Sequence, residues 1–493
     1  MTILEALRTP ALFGRHFDGP SWEPWRAFLA ALFGLPLSAA QLAVYRRCTG
    51  RESARMHPVP REAWVIAGRR GGKSRIAALV AVWLATKNYD GVLAPGERGT
   101  LPIIAADRRQ ARSVLRYVNG LLDGSPVLSQ LVLNRTTESV ELANRIVIEV
   151  HTGSFRSIRG YTVIAAVLDE VAFYRSDDSA APDRELVAAL RPAMATVPGA
   201  LLLAISSPYA RRGVLWDAYR RHFGQESDVL VWQAPTAVMN PGIPEALVRA
   251  AYEEDEASAA AEYGAEFRRD LEAFVTREAL EACIIPGRLE LPPMTGVRYR
   301  AFVDPSGGSR DAMTLAIGHA EGRVIVVDAV RERRPPFSPE HVVAEFAALL
   351  KAYRTTVVTG DRYAGEWPRE RFREHGIAYE PAEDAKSALY GAALPIVNSG
   401  RLELLDLPRL HAQLLGLERR TARGGRDSID HAPGAHDDLA NAVAGVVASL
   451  AACPGGEAPV LISQRPSAFG DVVEREPIDW AVERYYGGES AVG

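Results

Sequence analysis

The stretch from Trp64 to Arg75 constrains the fold of this chain more than any other, because it reads as a strand, a glycine-rich turn and a helix. An apolar run ends at Ala67, and an alanine-rich apolar segment begins at Ile76. This order is typical of a phosphate-binding loop, in which backbone N–H groups at the start of a helix surround phosphates. We therefore expect nucleotide phosphates to be bound by the residues in between, which are Gly68, Arg69, Arg70, Gly71, Gly72, Lys73 and Ser74.

Lys73 and Ser74 have distinct expected roles in this loop. Lys73 would bring a positive charge to the outer phosphates, and Ser74 would bring a hydroxyl to Mg²⁺. The usual pattern has a glycine six residues before the lysine, where this chain has Ala67 followed by Gly68. The loop is therefore expected to turn one residue later. The alternative interpretation, a surface turn before an alanine-rich helix, is weakened by a partner motif downstream.

That partner motif is an acidic pair at the end of a second apolar run. Residues Thr162 to Leu168 predict a buried parallel strand, and Asp169 and Glu170 follow it. Ligands bind at this end of open α/β sheets. We expect Asp169 to belong to the Mg²⁺ shell and Glu170 to orient or deprotonate the attacking water. Such a pair is common alone, but roughly a hundred residues after a phosphate loop it predicts a nucleoside triphosphatase.

Three further segments each allow two interpretations. The turn Ser206-Ser207-Pro208 either senses the γ-phosphate or simply ends a strand. Arg156 and Arg159, in the loop before the acidic pair, are either surface charge or functional arginines. Gln41, upstream of the phosphate loop, either reads the adenine edge of a bound nucleotide or is a solvent-exposed helix residue.

The order of predicted elements places the chain in the α/β class. In the first half, strands alternate with helices, which predicts a mainly parallel sheet of about six strands covered by helices on both faces. In the second half, three strands read as an antiparallel meander, followed by a helix, a fourth strand and late helices that include Leu407 to Arg419. This second pattern predicts a ribonuclease H-like fold. The expected parts are a helical lead-in (1–60), a phosphate-loop ATPase domain (61–270), a linker (271–293), a ribonuclease H-like domain (294–453) and a partly flexible tail (454–493).

Acidic residues in the second half stand where predicted elements begin or end. Asp304 follows the first strand, Asp361 follows the fourth, and Asp437 and Asp438 open a late helix. Each alone could be a strand-end carboxylate or a helix N-cap. Together they match a two-metal phosphodiesterase, in which Mg²⁺ or Mn²⁺ ions about 4 Å apart bracket the scissile phosphate. Neighbours at a helix start point about a hundred degrees apart, so we expect Asp438 to face the metals directly, with Asp437 contributing beside it.

In this ordered combination of motifs, the chain resembles the large subunit of tailed-bacteriophage terminases over roughly residues 61–450. The resemblance rests on the loop Gly68 to Ser74, whose offset glycine is usual in that family. It rests further on the remaining matched motifs, which are Arg159-Gly160 ahead of Leu168-Asp169-Glu170, then Ser206-Ser207-Pro208, and finally His436-Asp437-Asp438.

The resemblance implies a DNA-packaging motor that hydrolyses ATP to move double-stranded DNA into a procapsid, and that cuts the concatemer with its nuclease. It implies that Arg159 is an arginine finger acting across subunits, and that Ser206 to Pro208 form a coupling motif. It also implies a ring of subunits on the portal protein and a terminase small subunit as partner. Such a protein works in the host cytoplasm, transiently at the procapsid portal, and is not a component of the mature virion.

The composition of the chain bears on how it could bind nucleic acid, metal ions or a membrane. Lys and Arg number 57 against 61 Asp and Glu, so nucleic-acid binding would have to use local basic patches. The three cysteines are far apart and suggest neither a metal site nor a disulfide framework, which suits a reducing cytoplasm. We find no apolar run long enough to span a bilayer and no signal peptide, and expect no membrane partner.

Two other functional classes stay open. An ATP-driven helicase or remodeller without nuclease activity would leave the aspartates of the second half unexplained. A non-catalytic assembly scaffold would leave Lys73, Asp169 and Glu170 unexplained. The first class predicts ATP hydrolysis without DNA cleavage, and the second predicts neither.

Overall fold

The computed structural model describes residues 1–52, 59–152, 160–174, 181–309, 311–361, 367–421, 427–432 and 435–452. In the described part of the chain before the first strand, three α-helices pack on the first sheet: α1 (Ile3–Ala6), α2 (Glu23–Leu32) and α3 (Ala39–Thr49). Across the described ranges, no helix combines the length and apolar character needed to cross a bilayer.

The first sheet has nine strands, which are β1 (Glu62–Ala67), β2 (Gly99–Ala105), β3 (Val132–Arg135), β4 (Ser139–Leu142), β5 (Ile146–Thr152), β6 (Thr162–Val163), β7 (Ala165–Asp169), β8 (Leu201–Ser206) and β9 (Val229–Ala234). The order is β3-β4-β5-β2-β7-β8-β1-β9, and β6 pairs with β2. All pairs are parallel except those that join β3, β4 and β5. The strand that carries the phosphate loop, β1, therefore lies between β8 and β9, one strand away from β7.

Helices connect these strands and cover the sheet. They are α4 (Lys73–Ala85), α5 (Arg108–Asp123), α6 (Pro126–Ser129), α7 (Pro182–Met194), α8 (Gly213–His222), α9 (Thr236–Met239), α10 (Glu245–Glu254) and α11 (Glu256–Glu262). The central strands are buried along their whole length, because helices exclude water from both faces. Parallel strands must return by such crossovers, and this brings the ends of β1, β7 and β8 to one edge.

The second half contains a six-stranded sheet in the order β15-β14-β11-β12-β13-β16. Its strands are β11 (Arg300–Asp304), β12 (Met313–Glu321), β13 (Val324–Arg333), β14 (Val357–Gly360), β15 (Ala378–Pro381) and β16 (Leu402–Glu403), and the first three form an antiparallel meander. Strand β14 runs parallel to β11, and β15 runs parallel to β14. This topology confirms the predicted ribonuclease H-like arrangement and, with the first sheet, the predicted α/β class.

A small third sheet links the two halves. Strand β10 (Leu271–Ala273) pairs antiparallel with β17 (Leu417–Thr421), which pairs antiparallel with β18 (Asp427–His431). The remaining helices are α12 (Arg277–Glu281), α13 (Pro339–Ala352), α14 (Trp367–Glu374), α15 (Lys386–Asn398), α16 (Pro408–Gly416) and α17 (Asp438–Ala451). The segment expected to be a linker thus contributes a strand and a short helix, and the domain boundaries themselves stay predictions.

Three local predictions need correction. The predicted helix from Leu407 to Arg419 ends at Gly416, because the next residues pair with β10 and β18. The hairpin of β3 and β4 was not anticipated, and it extends the first sheet beyond the expected six strands. The charge-rich sequence from Glu245 to Asp270 predicts a third helical stretch, and the helices found there end at Glu262. In the first case, pairing with the distant strand β10 overrides a local helical pattern.

Candidate functional site

The phosphate loop lies between the last residue of β1, Ala67, and the first residue of α4, Lys73. Its backbone turns sharply, with φ of 62° at Arg70 and 91° at Gly72. A Cβ atom at Gly68 would lie 2.2 Å from Thr236 Oγ1, so a glycine is required there. The offset glycine noted in the sequence therefore serves the close approach of a neighbouring element.

The Lys73 side chain is buried and curls back over this loop. Its Nζ donates to Ala67 O at 2.8 Å and to Ser207 Oγ at 2.9 Å, and lies 3.5 Å from Glu170 Oε1. Burial lowers the pKa of Lys73, whereas the neighbouring carboxylates, Glu170 first, act in the opposite direction. The lysine is thus held beside the acidic pair, where an anionic ligand would compete for it.

The acidic pair lies at the end of β7, where its two residues differ in environment. Asp169 is 2 % exposed, and burial followed by the Glu170 charge raises its pKa to about 7. Its Oδ1 has no hydrogen-bond partner among the described residues. A buried carboxylate oxygen without a partner is costly unless a cation or donor satisfies it, so this atom fits the expected Mg²⁺ shell. Ser74, on the first turn of α4, is partly buried and would complete that shell.

Glu170 is held by the end of the neighbouring strand β8. Its backbone is left-handed, with φ of 52° and ψ of 47°, and its N–H donates to Ile205 O at 2.7 Å. Its Oε2 accepts from Ser207 N–H at 2.9 Å and from Ser206 Oγ at 3.1 Å. Ser206 and Ser207 therefore share hydrogen bonds with the expected general base, an arrangement that suits the predicted response to the outer phosphate.

The structure leaves the predicted roles of Gln41 and Arg159 at the nucleotide site untested. Gln41 belongs to a capping box at the start of α3, where its Oε1 accepts from Ser38 N–H at 3.1 Å. Its side-chain oxygen thus already has a structural partner, and adenine reading by Gln41 stays a prediction. Arg159, together with Arg156, lies outside the described residues.

A second cluster of carboxylates lies where β11, β14 and α17 meet. Asp304 ends β11, and Asp361 follows β14 directly. Asn441 Nδ2 donates to Asp304 Oδ2 at 2.8 Å. Burial and then the charges of Asp438 and Asp361 raise the pKa of Asp304 to about 7, against the effect of Asn441. The fold therefore brings the three predicted aspartates close enough for their charges to interact.

Asp438 occupies the first turn of α17, which other elements hold in place. Its carbonyl accepts from Thr314 Oγ1 at 2.7 Å. Gln413 Oε1 accepts from the N–H groups of Leu439 and Ala440, at 2.8 and 3.1 Å. Burial and the Asp437 charge raise the pKa of Asp438 to about 6. Among the described residues, neither Asp438 Oδ2 nor Asn441 Oδ1 has a hydrogen-bond partner.

Asp437 is buried and makes a different set of contacts. Lys386 Nζ donates to its Oδ1 at 2.7 Å, and Tyr390 OH donates to its Oδ2 at 2.8 Å. Both of its oxygens therefore have protein partners, in contrast to Asp438. The carboxylates of Asp304, Asp361 and Asp438 are hard-oxygen donors of the kind that divalent ions prefer, and a cation would relieve both the orphaned Asp438 Oδ2 and the repulsion between the charges.

The sequence analysis did not predict several residues that contact the two clusters. Asn441 lies three residues after Asp438, on the same face of α17, and that spacing could have identified it. Lys386 and Tyr390 lie on α15 and hydrogen-bond to Asp437, and no local sequence pattern predicts these contacts. Around the phosphate loop, the contacts from Trp25, Thr236 and Asn240 likewise carry no sequence signature.

Comparison with known proteins gave structural matches only. No family model matches the chain, and no curated protein matches it. The large terminase of bacteriophage HK97 is 16 % identical over 91 % of this chain and 100 % of its own, with a TM-score of 0.40. A large terminase from a thermophilic bacteriophage is 11 % identical over 88 % of this chain and 99 % of its own, with a TM-score of 0.38.

A nuclease structure matches a smaller part. The large terminase nuclease of another thermophilic phage, G20c, is 16 % identical over 34 % of this chain and 94 % of its own, with a TM-score of 0.31. Large terminases from several phages are thus similar to this chain, and together they cover most of its length. TM-scores below 0.5 do not support a function by themselves. The function of this chain is therefore inferred from the geometry of the two clusters and from the sequence motifs.

Proposed function

We propose that this chain is the ATP-hydrolysing and DNA-cutting subunit of a phage DNA-packaging motor. The observation that carries the proposal is the convergence of Lys73, Glu170 and Ser207 at one sheet edge, with the orphaned oxygen of Asp169 beside them. A scaffold without chemistry gives no reason to bury a lysine and an aspartate beside a partly buried glutamate, since burial of charged groups is costly.

At the first site, the chain's own residues divide the work of ATP hydrolysis. Lys73 would leave the loop carbonyls and bind the outer phosphates, and the loop N–H groups would bind the phosphate oxygens. Glu170 would orient the attacking water and accept its proton. Mg²⁺, held by Ser74 and Asp169, would neutralise developing phosphate charge. Ser206 and Ser207, which hydrogen-bond to Glu170, would change position when the outer phosphate is lost.

At the second site, Asp304, Asp361 and Asp438 would hold two divalent ions, either Mg²⁺ or Mn²⁺. Such ions activate a water and stabilise the charge that develops on the scissile phosphate. Asn441 would fix the orientation of the Asp304 carboxylate through its hydrogen bond. Asp437 would support the site through the first turn of α17, held by Lys386 and Tyr390.

The wider assignment rests on the sequence motifs in their order. They support double-stranded DNA as substrate, a ring on the portal protein, a small-subunit partner, and action in the host cytoplasm at the procapsid portal. Arg159 is proposed as the finger that reaches the phosphates of a neighbouring subunit. The carboxylate cluster at Asp304 favours this reading over a helicase without nuclease activity.

A single assay separates the proposed function from both alternatives. Supercoiled plasmid is incubated with the protein and Mg²⁺ or Mn²⁺, with and without ATP, while plasmid form and ATP consumption are followed. The proposal expects both ATP hydrolysis and plasmid cleavage. Hydrolysis without cleavage would support the helicase or remodeller, and neither activity would support the scaffold.

A further inference from the structure

Five successive carbonyl groups of the phosphate loop each accept a hydrogen bond from a side chain. Lys73 Nζ donates to the first two, Ala67 O at 2.8 Å and Gly68 O at 3.2 Å. The remaining three receive donors from outside the loop, which are Thr236 Oγ1 to Arg69 O at 2.8 Å, Asn240 Nδ2 to Arg70 O at 2.9 Å and Trp25 Nε1 to Gly71 O at 2.8 Å.

The direction of these carbonyls decides where the loop N–H groups point. In a planar trans peptide, the C=O of one residue and the N–H of the next point in opposite directions. Holding the carbonyls of Arg69, Arg70 and Gly71 therefore fixes the three peptide planes that contain them. The N–H groups of Arg70 and Gly72 then point to the other side, and the Gly71 N–H donates to Gly68 O at 3.2 Å. A phosphate needs that arrangement, because a carbonyl turned inward would repel it.

The two kinds of donor behave differently when a phosphate arrives. Lys73 belongs to the site and would be drawn away from Ala67 and Gly68 toward the ligand. Trp25 lies on α2 and is buried, and Thr236 and Asn240 lie at the start and end of the short helix α9. These three side chains do not depend on Lys73, so they can hold their carbonyls in both states.

The placement of α9 follows from the sheet. Strand β9 pairs with β1 in register, with Ala234 opposite Ala67, so the residues after β9 run beside the phosphate loop. Thr236 is buried and its own N–H donates to Tyr263 O at 2.8 Å, which fixes its position. The absence of a side chain at Gly68 lets the Thr236 hydroxyl reach the loop.

We propose that Thr236, Asn240 and Trp25 are positioning residues that hold the phosphate loop in its phosphate-binding conformation before the ligand binds. The proposal rests on the ATP site assigned above. None of the three side chains needs to touch the nucleotide, since each acts through a loop carbonyl. Their loss should let the free loop sample conformations with carbonyls turned inward, which weakens phosphate binding.

The test uses the full-length protein with Thr236→Val, Asn240→Ala and Trp25→Phe, each of which removes one donor. We expect KM for ATP and the dissociation constant for inorganic tripolyphosphate to rise about three- to tenfold, the range set by one hydrogen bond. The value of kcat should change less than about twofold, because a bound triphosphate itself orients the loop. Tripolyphosphate isolates the loop from contacts to the base.

Matched controls make the same chemical change elsewhere. Thr49 is buried and its hydroxyl donates to Tyr45 O at 2.7 Å, so Thr49→Val matches Thr236→Val. Asn144 Nδ2 donates to Ala85 O at 2.7 Å, so Asn144→Ala matches Asn240→Ala. Both controls should keep the wild-type KM. The melting temperature without ligand is recorded for every variant, and Thr236→Val, the most conservative change, keeps the test valid if Trp25→Phe does not fold.

The outcomes separate this inference from the function on which it rests. If wild type binds tripolyphosphate, Lys73→Ala does not, and folded Thr236→Val and Asn240→Ala bind it as wild type does, the positioning role is wrong and the ATP site stands. A fall in kcat that matches the fall in kcat/KM would also overturn the positioning role. If wild type and Lys73→Ala bind tripolyphosphate equally, the loop is not a phosphate site and both proposals are lost.

Discussion

At the scale of single residues, the chemistry proposed for both clusters depends on charged side chains at the ends of helices and strands and on partners from distant parts of the chain. Lys73, Asp169 and Asp304 could be located because a charged residue next to a buried strand is an informative exception to burial of apolar groups. Asp437 looked equivalent to Asp438, yet Lys386 and Tyr390 occupy its two oxygens. Those partners lie about fifty residues away, and no short-range pattern encodes such contacts.

The first prediction concerns the role of Glu170 in ATP hydrolysis. Glu170→Gln should lower ATP turnover by about 10²- to 10⁴-fold, since an amide cannot accept the proton of the attacking water. ATP binding should survive, because the amide oxygen can still accept from Ser206 and Ser207. Turnover and fluorescent-nucleotide binding are measured for this variant, with the exposed Glu345→Gln as control. Wild-type turnover in Glu170→Gln would remove Glu170 from the mechanism.

The second prediction concerns pH at the carboxylate cluster. The pKa of Asp304 is raised to about 7, so the folded state binds its proton more tightly than the unfolded state does. Stability without metal should therefore fall as pH rises from about 4 to about 7, as the folded protein gives up that proton. Asp304→Asn should raise the melting temperature at pH 8 without metal, and should abolish both plasmid cleavage and stabilisation by Mn²⁺.

Thermal scans of wild type and Asp304→Asn at pH 5 and pH 8, with and without Mn²⁺, provide the check. The difference between the two proteins without metal should be larger at pH 8, where the buried carboxylate is ionised in wild type. If wild type and Asp304→Asn without metal differed equally in melting temperature at pH 5 and pH 8, ionisation of the buried Asp304 would not destabilise the folded protein.

At the scale of elements, long apolar runs bounded by turns located most strands of both sheets. One element was mistaken because of long-range pairing, and another was missed because its sequence pattern is weak. The first residues of β17 read as the end of a helix, and pairing with β10 and β18 makes them a strand. The hairpin of β3 and β4 is short and half exposed, so its pattern is weak. Local pattern therefore predicts the buried centre of a sheet better than its edges.

Helix α17 gives a prediction about close packing. A Cβ atom at Gly445 would lie 2.2 Å from the ring of Phe302 on β11. Gly445→Ala should destabilise the protein by about 1–3 kcal/mol, because helix and sheet must move apart, and should reduce cleavage by shifting Asp438. Gly391 on α15 has open space at the corresponding point. Gly391→Ala should be neutral or stabilise by up to about 1 kcal/mol.

Urea unfolding of the two glycine variants checks this pair, with plasmid cleavage as the second measurement. Equal unfolding midpoints for Gly445→Ala and Gly391→Ala would mean that α17 is not seated closely on β11.

At the scale of the whole molecule, the two halves meet at a buried carboxylate that the sequence did not reveal. Glu418 on β17 is 1 % exposed, and its oxygens accept from Tyr209 OH at 2.8 Å and from Arg212 at 2.6 Å. Tyr209 follows Ser207 by two residues, and its ring lies 5.4 Å from that of Phe173, three residues after Glu170. The segment that leaves the proposed ATP site thus contacts the second half directly.

The fourth prediction concerns the contribution of Glu418 to the stability of the protein. Glu418→Ala removes the shared acceptor of two donors and should cost about 1.5–3 kcal/mol, the range for hydrogen bonds to a charged group. The exposed pair of Arg333 and Glu345 is the control, and Glu345→Ala should cost no more than about 1 kcal/mol. Both variants are compared by urea unfolding. A cost for Glu418→Ala no greater than that of its control would contradict a structural role for this contact.

The central claim is that one chain carries two separate active sites, one around Lys73 and one around Asp304. The most direct test measures ATP consumption and plasmid cleavage in parallel for wild type, Lys73→Ala and Asp304→Ala, in Mg²⁺ and in Mn²⁺. We expect wild type to show both activities, Lys73→Ala to lose ATP hydrolysis and still cut DNA when ATP is absent, and Asp304→Ala to hydrolyse ATP without cutting. Cleavage by Asp304→Ala at the wild-type rate, or hydrolysis by Lys73→Ala at the wild-type rate, would contradict the two-site account.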